Sequence, residues 1–179
     1  MKKNTIFCMI TAFLLMGLSV PGFSQNAKDR DLIAESKEAK AQFLKTDNLM
    51  QSLFDNSYGY VIFPNIGKGA IGVGGAAGNG IVFEHGNAVG SAKMKQVTVG
   101  FQLGGQVYRE VIFFQDKAAL DRFKGGNFEF SAQASAVAVK AGASANMKYR
   151  DGVMVFSQEK KGLMYEASIG GQKFGYTQF

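Results

Sequence analysis

The stretch GYVIFPNIGKGAIGVGGAAGNGIVFEHG, residues 59–86, decides how this chain folds. Tyr60, Val61, Ile62 and Phe63 form an apolar strand-like run that Pro64 is expected to stop, because proline has no N–H to give to a ladder. Seven glycines then fall in the fourteen positions 67–80, and the stretch closes on Ile81 and Val82. Glycine loses the most backbone freedom on folding, so this density points to places where side chains would not fit. Gly67-Lys68-Gly69-Ala70-Ile71-Gly72 also matches G-x-G-x-x-G, the nominal dinucleotide fingerprint. That motif holds a pyrophosphate only when it opens a helix, whose N-terminus supplies free N–H groups and a dipole. Here Val73-Gly74-Gly75-Ala76-Ala77-Gly78 follows, and each glycine would cost a helix about 1 kcal/mol relative to alanine. No strand ending in an acid follows at the expected distance either. The stretch reads as glycine-kinked strands.

Working outward, residues 1–24 read as a signal peptide. Lys2 and Lys3 make a positive start, residues 6–18 an apolar core, and Pro21 with Gly22 breaks it before the small residues Gly22 and Ser24. The apolar run is short for a membrane-spanning helix. The single cysteine, Cys8, lies inside that core, so residues 25–179 offer no disulfide, thiol chemistry or thiolate metal site. They amount to about 155 residues, enough for one domain with its own core. Setting Lys2 and Lys3 aside from the 20 basic residues leaves a modest excess over the 14 acidic ones. Such mild basicity favours an anionic surface but is too diffuse for nucleic-acid binding. The expected location is the periplasm or cell envelope, or the exterior.

Residues 27–54 carry the long helical pattern. Leu32, Ile33, Ala39, Phe43 and Leu44 recur near a helical period with charged residues between them. Asp29 suits the first turn, and Thr46-Asp47-Asn48 predicts a break before a short second helix over 49–54. Strand signals take over from Tyr58. Residues 97–108 alternate, Val111-Ile112-Phe113-Phe114 reads as a strand covered on both sides, and Asp116 caps a short helix over 117–123 closed by Gly125-Gly126. Phe128, Phe130, Ala132, Ala134, Ala136 and Ala138 alternate again. Asp151-Gly152 and Lys161-Gly162 read as turns, as do the charged Lys93-Met94-Lys95 and Glu159-Lys160-Lys161. The sum is an α+β domain: a curved antiparallel sheet, or two layers of one, with an N-terminal amphipathic helix and a short mid-chain helix.

Signs of catalysis are sparse. The lone histidine, His85, sits beside Glu84 at a hairpin tip, and neighbouring strand residues point to opposite faces. Without a second histidine or a cysteine, a metal site would have to be built from carboxylates. No G-x-S-x-G elbow occurs. Glu110, Asp116, Asp121 and Glu129 gather loosely about the middle helix without a nucleophile, base and orienter. No enzyme, metal or cofactor is expected. The first helix mixes apolar area with Lys28, Arg30, Lys37, Lys40 and Lys45, as an interfacial helix does. An amphipathic stripe serves equally to cover its own domain's core, and Asp29, Asp31, Glu35 and Glu38 dilute the cations. The terminal Phe179 raises the alternative of a small outer-membrane β-barrel, against which the long helix and the Val111-Ile112-Phe113-Phe114 run both count.

The ordered set of motifs resembles the SYLF lipid-binding domain family. It begins with Gly59-Tyr60-Val61-Ile62-Phe63-Pro64, the glycine run over 67–75, and Gly78-Asn79-Gly80. The run over 99–106, Ile112-Phe113-Phe114, the helix over 117–123 and the pair over 162–171 follow in the family's order. The resemblance implies phospholipid binding through the amphipathic N-terminal segment and basic residues; in eukaryotic relatives it also implies actin regulation and phosphoinositide recognition. With a signal peptide, anionic envelope phospholipid is the more sensible ligand. Lys28, Arg30, Lys37, Lys40, Lys45 and Lys68 are the contact candidates by charge and position. The expectation is an exported, peripheral, non-enzymatic phospholipid-binding protein, the other alternative being a soluble envelope protein that binds a protein partner.

Overall fold

A computed structural model describes residues 27–71, 73–99, 106–126, 128–130, 135–161 and 167–179. Helix α1 runs Ala27–Thr46 and α2 Met50–Asn56. The break falls at Asp47, whose Oδ1 accepts from the Leu49 N–H at 3.2 Å. Four long strands follow: β1 Gly59–Ile71, β2 Val73–Glu84, β3 Asn87–Val99 and β4 Gln106–Phe114. After α3, Lys117–Lys124, come β5 Ser135–Ala138, β6 Val153–Lys161, β7 Ala167–Ser168 and β8 Lys173–Gln178. Asp116 caps α3 by accepting from the Ala119 N–H at 2.8 Å. The signal-peptide reading, the run over 100–105 and the turn at Gly162 lie outside the described residues.

The glycine stretch forms the antiparallel β1–β2 pair, and the next turn, from β2 into β3 at His85-Gly86, has both φ angles positive, 48° and 82°. That is the signature of a two-residue turn whose twist matches the strands. Asp151-Gly152 repeats it, at 51° and 78°. Pro64, expected to stop β1, does not: the strand passes through it. The pairings of β1 with both neighbours shift register there, between Ile62 and Asn65 toward β2 and between Phe63 and Ile66 toward β4. A bulge accommodates the missing N–H without ending the ladder. The charged triplets also depart from expectation. Lys93-Met94-Lys95 lies in the middle of β3, with Met94 buried, and Glu159-Lys160-Lys161 ends β6. Charge made them look like turns, whereas alternation governs them: the lysines at 93 and 95 point out and the methionine between them points in.

The strand order is β7-β5-β6-β4-β1-β2-β3-β8, antiparallel throughout except for the β5–β6 pair. β7 and β8 stand at opposite ends of that order, yet only residues 169–172 separate them in sequence. The sheet must therefore curl until its ends lie a short turn apart. The Gly171 N–H donating to the Phe130 carbonyl at 3.2 Å, and the bridge between Glu129 and Lys173, help hold them there. No ladder joins β7 to β8 among the described residues, so the sheet is curved rather than closed.

Alternation gives the central strands two apolar faces. Val61, Phe63, Ile112, Phe114 and Val155 point inward, where they meet Ala136, Ile169 and Phe174 from the sheet ends and Leu120 and Phe123 of α3. Tyr60, Ile62, Ile81, Val111, Phe113 and Phe156 point outward against Ala39 and Phe43 of α1 and Met50 and Phe54 of α2. This is why the runs in β1 and β4 are continuously apolar: both faces are covered. Among the described residues no helix is long and apolar enough to cross a membrane.

Candidate functional site

The basic residues of α1 divide by their position around the helix. Phe43, Ala39 and Ser36 turn into the protein, so the apolar stripe packs on the outer face of the sheet. Lys28, Arg30, Lys37 and Lys45 are exposed. Lys40 is not equivalent to them. It is half-buried, with Nζ 4.6 Å from the centre of the Phe54 ring and 5.5 Å from that of Tyr60, and desolvation lowers its pKa against the opposing pull of Asp55. A cation on these ring faces helps dock α1 on α2 and the sheet. Lys68 lies apart, half-buried on β1, where desolvation lowers its pKa. The structure thus leaves four of the six candidates exposed on one helix, packs Lys40 on aromatic rings, and half-buries Lys68 on a strand away from them.

Acids share that helix surface. Asp31, Glu35 and Glu38 are exposed. Glu35 accepts from Asn65 Nδ2 at 2.9 Å, and Asn65 accepts from Lys160. Glu38 acts on Arg109 of β4, offsetting part of the desolvation that lowers the guanidinium's pKa. At the helix end Asp47 is buried, and its Oδ2 accepts from both the N–H and the hydroxyl of Ser144 at 2.8 Å. Burial opposes its ionised form, but these bonds outweigh that and hold the carboxyl below its ordinary value.

A second polar group lies inside the curved sheet. Tyr108, Glu110, Ile112 and Phe114 share the inner face of β4, and Glu110 is fully buried there. Gln172, also fully buried, donates from Nε2 to Glu110 Oε2 at 3.2 Å. Burial pushes the Glu110 carboxyl up to about 7, the Gln172 bond pulling the other way. Ser157 faces Glu110 across the β4–β6 pairing. Among the described residues, Glu110 Oε1, Gln172 Oε1 and the Ser157 hydroxyl have no hydrogen-bond partner. In the sequence Glu110 reads as one of the acids around α3. The signal was available in its parity, an acid occupying an inward position between Tyr108 and Ile112. Gln172, next to the turn that links the sheet ends, carried no such signal.

Chemically this interior group is a carboxyl ready to be neutral, held by an amide and facing the Ser157 hydroxyl across the β4–β6 pairing, with no imidazole beside it among the described residues. His85 is at the β2–β3 tip, its ring 4.5 Å edge-on from Tyr58. Among the described residues no three His, Cys, Asp or Glu side chains gather into a group that could hold a metal ion.

Residues 95–177 match the model of a family described as Ysc84, Las17-binding protein actin regulator. The chain is also similar to Beta cell expansion factor A of Aeromonas veronii, 31% identical over 123 residues, which covers 68% of this chain and 47% of the relative. The chain thus spans about half the length of the curated relative it matches. The family match takes in β4, α3 and the strands after them, with Glu110 and Gln172, and leaves out all six lysine and arginine candidates.

Proposed function

Since residues 95–177 belong to the Ysc84 (SYLF) family, we propose that this chain is a binding protein, not an enzyme, that docks peripherally on anionic phospholipid membranes. We also propose that it does so after export to the cell envelope, where residues 1–24 would direct it. The observation that carries the reading is the division of α1: Phe43 and Ala39 face the sheet while Arg30, Lys37 and Lys45 face solvent. A helix that spends its apolar stripe on its own core has electrostatics left for lipid, so the contact is salt-sensitive.

The test is co-sedimentation of wild type and an Arg30→Glu/Lys37→Glu/Lys45→Glu variant with vesicles. Wild type should pellet with anionic vesicles at low salt and not with neutral ones. Each cation near an anionic surface is worth about 1 kcal/mol, so reversing three should weaken partition by a hundredfold or more. Lys40 is left out of the variant because it sits on the Phe54 ring. Undiminished binding by the variant would remove α1 from the account. The family description names a protein partner, Las17, for relatives; a chain that ignores all vesicles would move the search to protein partners.

A further inference from the structure

β3 presents Lys93, Lys95 and Val97 on its outer side, while Ala92, Met94 and Gln96 are buried on the inner one. In register, Lys95 stands opposite Lys173 of β8 on one side and Ala77 of β2 on the other; Lys93 stands between Gly175 and Asn79. Beyond Ala77 the row continues to Gly67 of β1. Ala77, Gly67, Gly69 and Gly175 are small, and a Cβ built on any of these three glycines would meet nothing within 4 Å. The outer side of β1, β2, β3 and β8 is here a low, open strip with three lysines along one margin.

Its charge is unbalanced. Directly opposed like charges destabilise a strand pair, and Lys95 and Lys173 are such a pair. Lys173 has Glu129 at 3.6 Å, but the two side chains are 74% and 50% exposed, so that contact is weak. Among the described residues neither Lys93 nor Lys95 forms an ion pair. Val97, 74% exposed, continues the same row of β3. The solvent side of α1, by contrast, interleaves its cations with Asp31, Glu35 and Glu38.

We propose that this strip is a membrane-seating face, with Lys93, Lys95 and Lys173 taking the phosphates of anionic lipids and Val97 entering the headgroup layer. The inference rests on the phospholipid reading and deepens it by naming a second face. Lipid phosphate between Lys95 and Lys173 would relieve their repulsion, and a strip without deep relief fits a surface rather than a pocketed partner.

The experiment compares partition onto anionic vesicles for wild type, for Lys93→Gln/Lys95→Gln/Lys173→Gln, and for Lys140→Gln/Lys148→Gln/Arg150→Gln. The last triple removes the same charge from exposed positions elsewhere. The strip variant should bind about a hundredfold more weakly and the control should stay within a few-fold of wild type. Its own fold is checked by thermal melting, which loss of the Lys95–Lys173 repulsion should leave unchanged or raised. Equal binding by wild type and strip variant, or equal losses in both triples, overturns the face while leaving lipid binding standing. Failure of wild type to bind any vesicle overturns both, and displacement by inorganic phosphate at constant ionic strength would replace the membrane with a small-anion site.

Discussion

Glu110 carries an acid into an apolar interior, and its ionisation is the most direct chemical handle on the fold. Its carboxyl titrates near 7 in the folded protein, above the ordinary 4.5. Below pH 4.5 the group is neutral folded and unfolded, so it takes nothing from stability. As pH rises toward 7 the unfolded chain ionises while the folded one keeps its proton, and stability falls; above 7 the loss is complete. An offset of this size corresponds to on the order of 3 kcal/mol. Glu110→Gln should remove this pH dependence and gain on wild type between pH 5 and pH 8 in urea unfolding. Parallel stability curves for the two proteins would contradict the buried, desolvated placement.

At the scale of elements, α1 shows what a sequence can and cannot tell. Its length, its break at Asp47 and its amphipathic stripe were all legible in residues 27–54. Which partner the stripe meets was not, because a membrane and a sheet both offer apolar surface at the same period. Phe43 is fully buried against the outer face, so Phe43→Ala should cost about 3 kcal/mol or more in chemical denaturation. A silent substitution would put α1 off the sheet. β1 and β3 were misjudged for local reasons. Pro64 looks like a terminator until the bulge that absorbs it is known, and Lys93 and Lys95 look like a solvated turn until the buried Met94 between them is seen as strand parity.

For the whole molecule, the α+β class and the curved sheet were legible because alternating and doubly covered runs leave few other architectures. The strand order was not, since β7 and β8 are near neighbours in sequence at opposite ends of the sheet. That curvature brings together residues far apart in sequence, such as Gln172 and Glu110, which no local pattern encodes. It also leaves the molecule with two outward basic regions, on α1 and on β3–β8, and no transmembrane helix among the described residues. Peripheral binding to anionic lipid is checked by co-sedimenting the wild-type chain with neutral and anionic vesicles across a salt series. The chain should pellet with anionic vesicles alone, and progressively less as salt rises. Binding indifferent to lipid charge and salt, or no binding at all, would contradict it.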